Sequence, residues 1–438
     1  MGSILRSIAS SPWLCYALTD EMASSNHFRG RDYIKITIFG FAITALWGSL
    51  HTIILPLRLL DFVAEPQKNT YLGLLTFTGL ILAMIVQPIA GAISDRSGFG
   101  WGRRRPYILL GTALAIFFLP GIGLCNSFLA ILIAYCLLQI SSNMAQGPYQ
   151  AFIPDLVPPA NRGRASGIKS LLEILGGVTL LYPIALFMDR YATGEGGSWL
   201  WLALAALAFV LLVMMAITVL TVRERPGGGT QLPLLSALSR SFKIDVRTNR
   251  DFIWFLLSRL LFFIAFTAVQ TFALYFLRDV AGVTSPAAAA ARFSILAVAG
   301  MLTAAYPAGR ISDRVGRRPI AIASGLIGAL GVGLLFFFPT SYPVIMSSGG
   351  LLGISFGAFV STNWALATDL VVKGEEARYL GLANLATTGG GALARLVGPI
   401  IDAVNAYRPG QGYLAMLAIC FICFIAGSLL LMKTKGRS

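Results

Sequence analysis

Apolar residues run along this chain in stretches of about twenty, interrupted by short clusters of Gly, Asp, Arg and Lys. A helix crosses the roughly 30 Å hydrocarbon core of a bilayer with about twenty such residues. The pattern therefore predicts twelve membrane-crossing helices, near 33–57, 70–94, 106–124, 127–152, 165–188, 198–221, 251–277, 289–311, 319–338, 343–367, 379–402 and 411–432. Six fall in each half. The longest hydrophilic stretch between spans, 223–250, contains Pro226-Gly227-Gly228-Gly229. It lacks the strand-to-helix setting and the Lys-Ser/Thr ending of a phosphate-binding loop, so it reads as a flexible linker. The expected order is an N-terminal segment 1–32, a six-helix bundle 33–222, the linker 223–250, a second bundle 251–432 and a tail 433–438. The fold class is an all-α membrane protein built from two pseudo-symmetric bundles.

The polar interruptions repeat. Gly91-x-x-Ser94-Asp95-Arg96-x-Gly98, followed by Arg103-Arg104-Arg105-Pro106, returns as Gly309-x-x-Ser312-Asp313-Arg314-x-Gly316-Arg317-Arg318-Pro319. The first parts match at an offset of 218 and the Arg-Arg-Pro parts at 213, so the first copy carries extra loop residues. Asp155-Leu156-Val157, Arg164, Gly167, Gly176 and Gly177 then meet Asp369-Leu370-Val371, Arg378, Gly381, Gly390 and Gly391, all at 214. Matches at a fixed long period indicate two parallel halves related by an axis along the membrane normal.

Composition agrees. Of 438 residues 56% are hydrophobic and 12% charged, against about 25% charged in soluble domains. With the N-terminus inside, the loops on one side carry Arg96, Arg103 to Arg105, Arg162, Arg164, Lys169, the linker cations, Arg314, Arg317, Arg318, Lys373 and Arg378. The other side carries only Arg58, Lys68, Arg190, Arg278, Arg292 and Arg408. This asymmetry predicts both termini and both motif loops in the cytoplasm, and a multi-pass protein of the cell (inner) membrane. The net charge of +15 is then met by anionic headgroups of the lipid bilayer and asks for no nucleic acid. Short, charge-interrupted apolar stretches in the first thirty residues show no cleavable signal peptide. The five cysteines have no metal spacing, and two histidines without a paired acidic loop cluster form no catalytic or metal constellation. An enzyme, a metal site and a resident cofactor are therefore not expected.

Twelve spans in two halves, with G-x-x-x-D-R-x-G-R-R after spans two and eight, resemble the major facilitator superfamily of secondary transporters. Trp101-Gly102-Arg103-Arg104-Arg105-Pro106-Tyr107 and Pro154-Asp155-Leu156-Val157-Pro158 resemble its glycoside and sucrose proton symporter branch. The resemblance implies a protein that moves a small molecule by alternating access, with a proton as coupling ion; a monomer is expected.

Asp95 and Asp313 end their helices where a carboxylate can pair with Arg and face a neighbouring helix N-terminus. Such contacts are expected when the cytoplasmic ends are together, latching the outward-open state. The resemblance adds Asp155 and Asp369, with Arg96, Arg104, Arg164, Arg314, Arg318 and Arg378 as partners. Gly91, Gly98, Gly309 and Gly316 complete the motif with Arg105 and Arg317. The alternative is that these charges only set topology and solvate loops.

Family resemblance places the central cavity among spans one, four, seven and ten, with five, eight and eleven contributing. Ionisable residues there cost roughly 2.5–3.5 kcal/mol if they face lipid. Glu173 in span five reads as the proton-coupling group, or as a strut with Lys169 one turn earlier. Its repeat partner at 214 is Thr387, so the shared scaffold does not demand the acid. Arg259 and Arg395 read as partners for Glu173, as donors to substrate oxygens, or as ligands of backbone carbonyls where helices break. His51 is titratable near neutral pH in water or simply packed. Asn143, Gln146, Gln150, Gln270, Asn363 and Asn384 suit a hydroxyl-rich solute or act as interhelical glue. Trp47 and Trp364 suit stacking on a sugar ring or an apolar ligand, or pack between helices.

Span two has no acid before Asp95, which disfavours sodium coupling of the melibiose type, and span five lacks the Gly-Pro pattern of many drug–proton antiporters. Proton-driven export of amphipathic compounds remains an alternative, as does a non-transporting receptor or assembly factor of the same fold.

Overall fold

The computed structural model describes residues 30–224, 250–370 and 376–434. The linker at 225–249, much of the two end segments and the Arg378 side chain lie outside the described residues. Every described element is a helix. In lipid the backbone must satisfy its own hydrogen bonds, and a helix does so locally.

The first half comprises α1 (Gly30–Leu59), α2 (Lys68–Arg96), α3 (Arg105–Leu124), α4 (Phe128–Gln150), α5 (Arg162–Ala192) and α6 (Ser198–Thr221). The second comprises α7 (Arg250–Asp279), α8 (Pro286–Val315), α9 (Arg317–Phe337), α10 (Tyr342–Leu370), α11 and α12 (Gln411–Met432). Among the described residues eleven helices are long and apolar enough to cross a membrane. The twelfth, α11, is expected as one span over 379–402 but is split into Glu376–Arg395 and Gly398–Tyr407. Pro399 has no N–H for the carbonyl four residues back, that of Arg395, so the helix ends there. Pro183 does the same to Thr179 in α5, which breaks between Thr179 and Leu181. In α1, residues Leu50–Ile54 form a π-helical turn.

Helix packing repeats with a shift of six. α1 packs on α5 and α6, α2 on α4, and α3 on α4 and α6. Likewise α7 packs on α11 and α12, α8 on α10, and α9 on α10 and α12. Small residues make the closest approaches. A Cβ on Gly176 would strike the Phe41 carbonyl, one on Gly390 that of Leu260, and one on Gly353 that of Ala297.

Between the bundles, α2 meets α11, α5 meets α8, and the π turn of α1 meets α7. The motif loops mark one end of the molecule, the motif end; the α1–α2 and α7–α8 loops mark the far end. Among the described residues, every hydrogen bond and ion pair joining the bundles lies in the far half. Lys68 pairs with Asp279 at 2.6 Å, and Arg278 pairs with Glu65. Tyr275 donates to the Pro56 carbonyl at 2.7 Å, and Arg292 donates to the Tyr182 hydroxyl at 3.0 Å. Asp402 and Asp189 each accept two bonds from the opposite bundle. Lys68, Arg278 and Arg292, three of the six cations on this side, are thus interface groups. Arg58 packs within the first bundle, donating to Asp61, Tyr191 and the carbonyls of Ile122, Gly123 and Cys125.

Candidate functional site: the cavity between the bundles

At the motif end the loop from Ser97 to Arg104 folds Arg104 back against its own bundle. Arg104 is 4% exposed. It pairs with Asp95 at the end of α2 and with Asp155 beyond α4, at 2.9 Å, and donates to the Ser94 hydroxyl at 2.6 Å. Arg103 reaches Asp155 at 2.7 Å. Glu224 accepts from the backbone N–H groups of Arg104 and Arg105 at 2.8 and 2.9 Å, so a carboxylate covers the start of α3.

The second copy follows the same plan. Arg317 pairs with Asp369 at 2.7 Å. Arg318 donates to the last carbonyls of α12, at Met432, as Arg105 does to Val219 of α6; both offsets are 213. Arg164 lies over the Tyr33 ring. Asp313 and Arg314 are exposed and enter no ion pair among the described residues, and Arg96 is partnered. Gly316 has φ +97°, a left-handed backbone that favours glycine. In the first copy the inserted residues move that role from Gly98 to Gly102, at φ +125°. Gly91 and Gly309 have open space where a Cβ would stand.

The pairs described do not themselves make the expected latch between halves. They join α2, α3 and α4, or α9 and α10, inside one bundle, and they stand while the bundles are clasped at the far end. The connecting loops are short, so each Arg meets its own bundle's carboxylate before it can reach the other.

Midway through the molecule a cavity of about 330 Å³ opens between α1 and α5 on one side and α7, α8 and α10 on the other. Thr44, Thr52 and Glu173 supply polar groups from the first bundle, and Gln270 and Ser294 from the second. Phe266, Phe293, Phe356 and Met301 give the second bundle's wall an apolar face. Glu173 borders the cavity and also sits 3.5 Å from Lys169, so the strut and the cavity position coexist. It packs against Gly40, whose Cβ would stand 2.9 Å from the Glu173 Cγ and 2.5 Å from the Tyr149 hydroxyl.

Arg259 does not partner Glu173. It is buried, donates to the Thr387 hydroxyl at 2.7 Å and to the Asn363 amide oxygen, and lies over the Phe263 and Trp364 rings. Arg259, Asn363 and Thr387 correspond to Gly40, Tyr149 and Glu173 at offsets of 219, 214 and 214. The 219 register for α1 and α7 comes from the contacts of Gly176 with Phe41 and Gly390 with Leu260. The two repeat-related clusters therefore hold an acid from α5 in one bundle and a cation from α7 in the other.

Arg395 donates to the Gly391 carbonyl at 2.7 Å, and its Nε has no partner. Trp47 donates to the Ser142 hydroxyl at 3.1 Å and stacks on His51, whose Nε2 bonds the Tyr135 hydroxyl at 2.8 Å. Asn143 donates to the carbonyl and side chain of Gln139. Gln146 is half-buried; Gln150, Asn384 and Trp364 are exposed. None of these borders the cavity, which among the sequence candidates is lined by Glu173 and Gln270. Thr44, Thr52 and Ser294 were missed, because hydroxyls on apolar helices usually bond their own backbone, as Thr44 does to Gly40 at 2.9 Å.

The MFS/sugar transport protein family matches residues 40–432. The chain belongs to that family. As a member of it the protein is an integral, multi-pass membrane protein of a transporter family. Proton-associated sugar transporter A of Homo sapiens is 31% identical over 170 residues, covering 35% of this chain and 23% of that protein. Sucrose transport protein SUC3 of Arabidopsis thaliana is 26% identical over 154 residues, 30% of this chain and 24% of that protein. The matched stretches thus span about a quarter of these relatives' length. Among solved structures, nucleoside transporter NupG superposes with a TM-score of 0.72 at 14% identity, covering 92% of this chain and 99% of that chain. A D-xylose–proton symporter superposes with 0.69 at 17% identity, covering 93% and 98%. At these identities the likeness is one of fold.

Proposed function

We propose that this family member is a proton-coupled symporter of a sugar or glycoside, working by alternating access as a monomer in the inner membrane, with motif loops and termini in the cytoplasm. The observation that carries the reading is Glu173, a carboxylate on the wall of the cavity of about 330 Å³ between the bundles. A far end clasped by interbundle bonds corresponds to the inward-facing state. Sugar substrates are supported by family membership and by the names of the matched relatives. The proton is the coupling ion, and no resident cofactor takes part.

Glu173 loads a proton while the cavity faces outward and releases it inward, and Arg259 supplies a cation in the repeat-related cluster of the other bundle. The apolar wall of Phe266, Phe293 and Phe356 favours a second reading, export of an amphipathic compound against protons.

Uptake into proteoliposomes under an imposed pH gradient tests both, using radiolabelled sugars and the variant Glu173→Gln. Accumulation by the wild type, with the variant retaining exchange but losing accumulation, is expected of the symporter. If no sugar moves in either direction while an amphipathic dye is expelled, export replaces symport.

A further inference from the structure

Two carboxylates close the far end in the same way. Asp189, near the end of α5, accepts from the backbone N–H groups of Ala287 and Ala288 at 3.0 and 2.9 Å. These residues stand in the first turn of α8, where N–H groups have no partner within the helix. Asp402, near the end of α11, accepts from the Asn69 side-chain amide at 2.8 Å and the Thr70 backbone N–H at 2.6 Å, in the first turn of α2. Each carboxylate uses both oxygens, and each crosses from one bundle to the other.

The repeat relates these contacts closely. Asn69 and Thr70 fall on Ala287 and Ala288 at 218, the offset that relates the motif ends of the same two helices. Asp189 and Asp402 differ by 213, one short of the 214 that holds up to Gly176 and Gly177. Between the matched glycines and the acids each helix breaks, over Leu180 in α5 and over Leu396 and Val397 in α11, which accounts for the slip. The contacts of Lys68, Glu65 and Arg292 have no counterpart. Lys68 falls on Pro286, Glu65 on Val283, and Arg292 on Leu74. Small residues let the helices approach on both sides: Ala287 to Ala291 are buried in α8, and the Gly398 and Gly73 positions admit no Cβ beside the other helix.

We propose that Asp189 and Asp402 are paired gate residues of the transport cycle. Each holds the first turn of the opposite bundle's interface helix, and both must let go for the far end to open. The physical basis is that a carboxylate on unpaired N–H groups at a positive helix end is favourable only while the two helix ends are together. Related by the axis between the bundles, the two contacts lie on opposite flanks of the interface and break in one rocking motion. This inference rests on the alternating-access reading.

The test is the distance between spin labels on Ala64→Cys and Thr284→Cys, in the two far-end loops, measured by electron resonance on the full chain in nanodiscs with native cysteines replaced. In the parent the short distance dominates, and a fraction of long distance reports opening. Asp189→Asn and Asp402→Asn each raise the long-to-short ratio about tenfold, and the double variant about a hundredfold, because separated sites add. Asn69→Ala removes the amide that donates to Asp402 and to the Tyr413 hydroxyl, and no charge; it raises the ratio about threefold, with Tyr413→Phe as the control for the second bond, and keeps the test available should an Asp variant fail to fold. Unchanged distances in well-folded Asn variants overturn the proposal, and so does one Asp carrying the whole effect. If the labels never separate in the parent under any substrate or pH gradient, the alternating-access reading fails, and the gate falls with it.

Discussion

Arg104 shows what one side chain holds together. Its guanidinium is almost wholly covered and serves Asp95, Asp155 and Ser94 from three directions. Removing one partner of a buried pair costs about 3–5 kcal/mol, and the partial exposure of the two carboxylates reduces that to about 2–3 kcal/mol for Arg104→Ala. A lower melting temperature in detergent is the expected readout. Arg104→Lys recovers little of it, since a single ammonium does not reproduce the guanidinium fork. Its counterpart pair, Arg317 with Asp369, is 30% and 51% exposed, so Arg317→Ala costs under about 1 kcal/mol in the same assay. The motif and its acids were legible from spacing alone. The inequality of the two copies was not, because burial depends on how each loop folds. Glu173, Arg259 and Arg395 were legible as ionisable residues in apolar spans; their partners were not, and Arg259 proved to bond Asn363 and Thr387.

Glycines separate pattern from packing among the helices. Gly167 and Gly176 both match a glycine at 214, and the repeat treats them alike. In the structure a Cβ on Gly176 meets the Phe41 carbonyl and one on Gly353 meets that of Ala297, while Gly167 has nothing within 4 Å. Gly176→Val and Gly353→Val force backbones apart and are expected to leave no monodisperse protein on size exclusion. Gly167→Val costs only helix propensity, under about 1 kcal/mol, and elutes as the parent does. The helix breaks divide similarly. Pro183 and Pro399 stand at two breaks, and Pro56, which has no N–H for the Thr52 carbonyl, stands just past the π turn of α1, where α1 meets α7 across the bundle interface; Pro88, Pro148 and Pro307 lie inside unbroken helices, so proline alone does not place a break.

For the molecule as a whole, the interbundle bonds at the far end and their absence among described residues at the motif end make one testable arrangement. A short bifunctional cross-link between Ala64→Cys and Thr284→Cys locks the far end. It is expected to abolish transport of a radiolabelled substrate in both directions while leaving substrate binding from the motif side within about threefold of the uncross-linked protein. Loss of binding from that side, measured in inside-out vesicles, overturns the inward-facing reading.

Crossing a bilayer leaves little freedom. Backbone groups must be satisfied within each segment and charges must leave the lipid, so the amino-acid order alone specified the spans, the loops and the two-fold repetition. Partner choice is different. Whether Asp155 faces Arg104 or the other bundle, whether Asp402 finds Thr70, and which candidates reach the cavity all depend on which ends of the bundles are together. Those contacts join residues as many as 332 positions apart, and a chain that rocks between states makes a different set in each; only the packed arrangement selects among them.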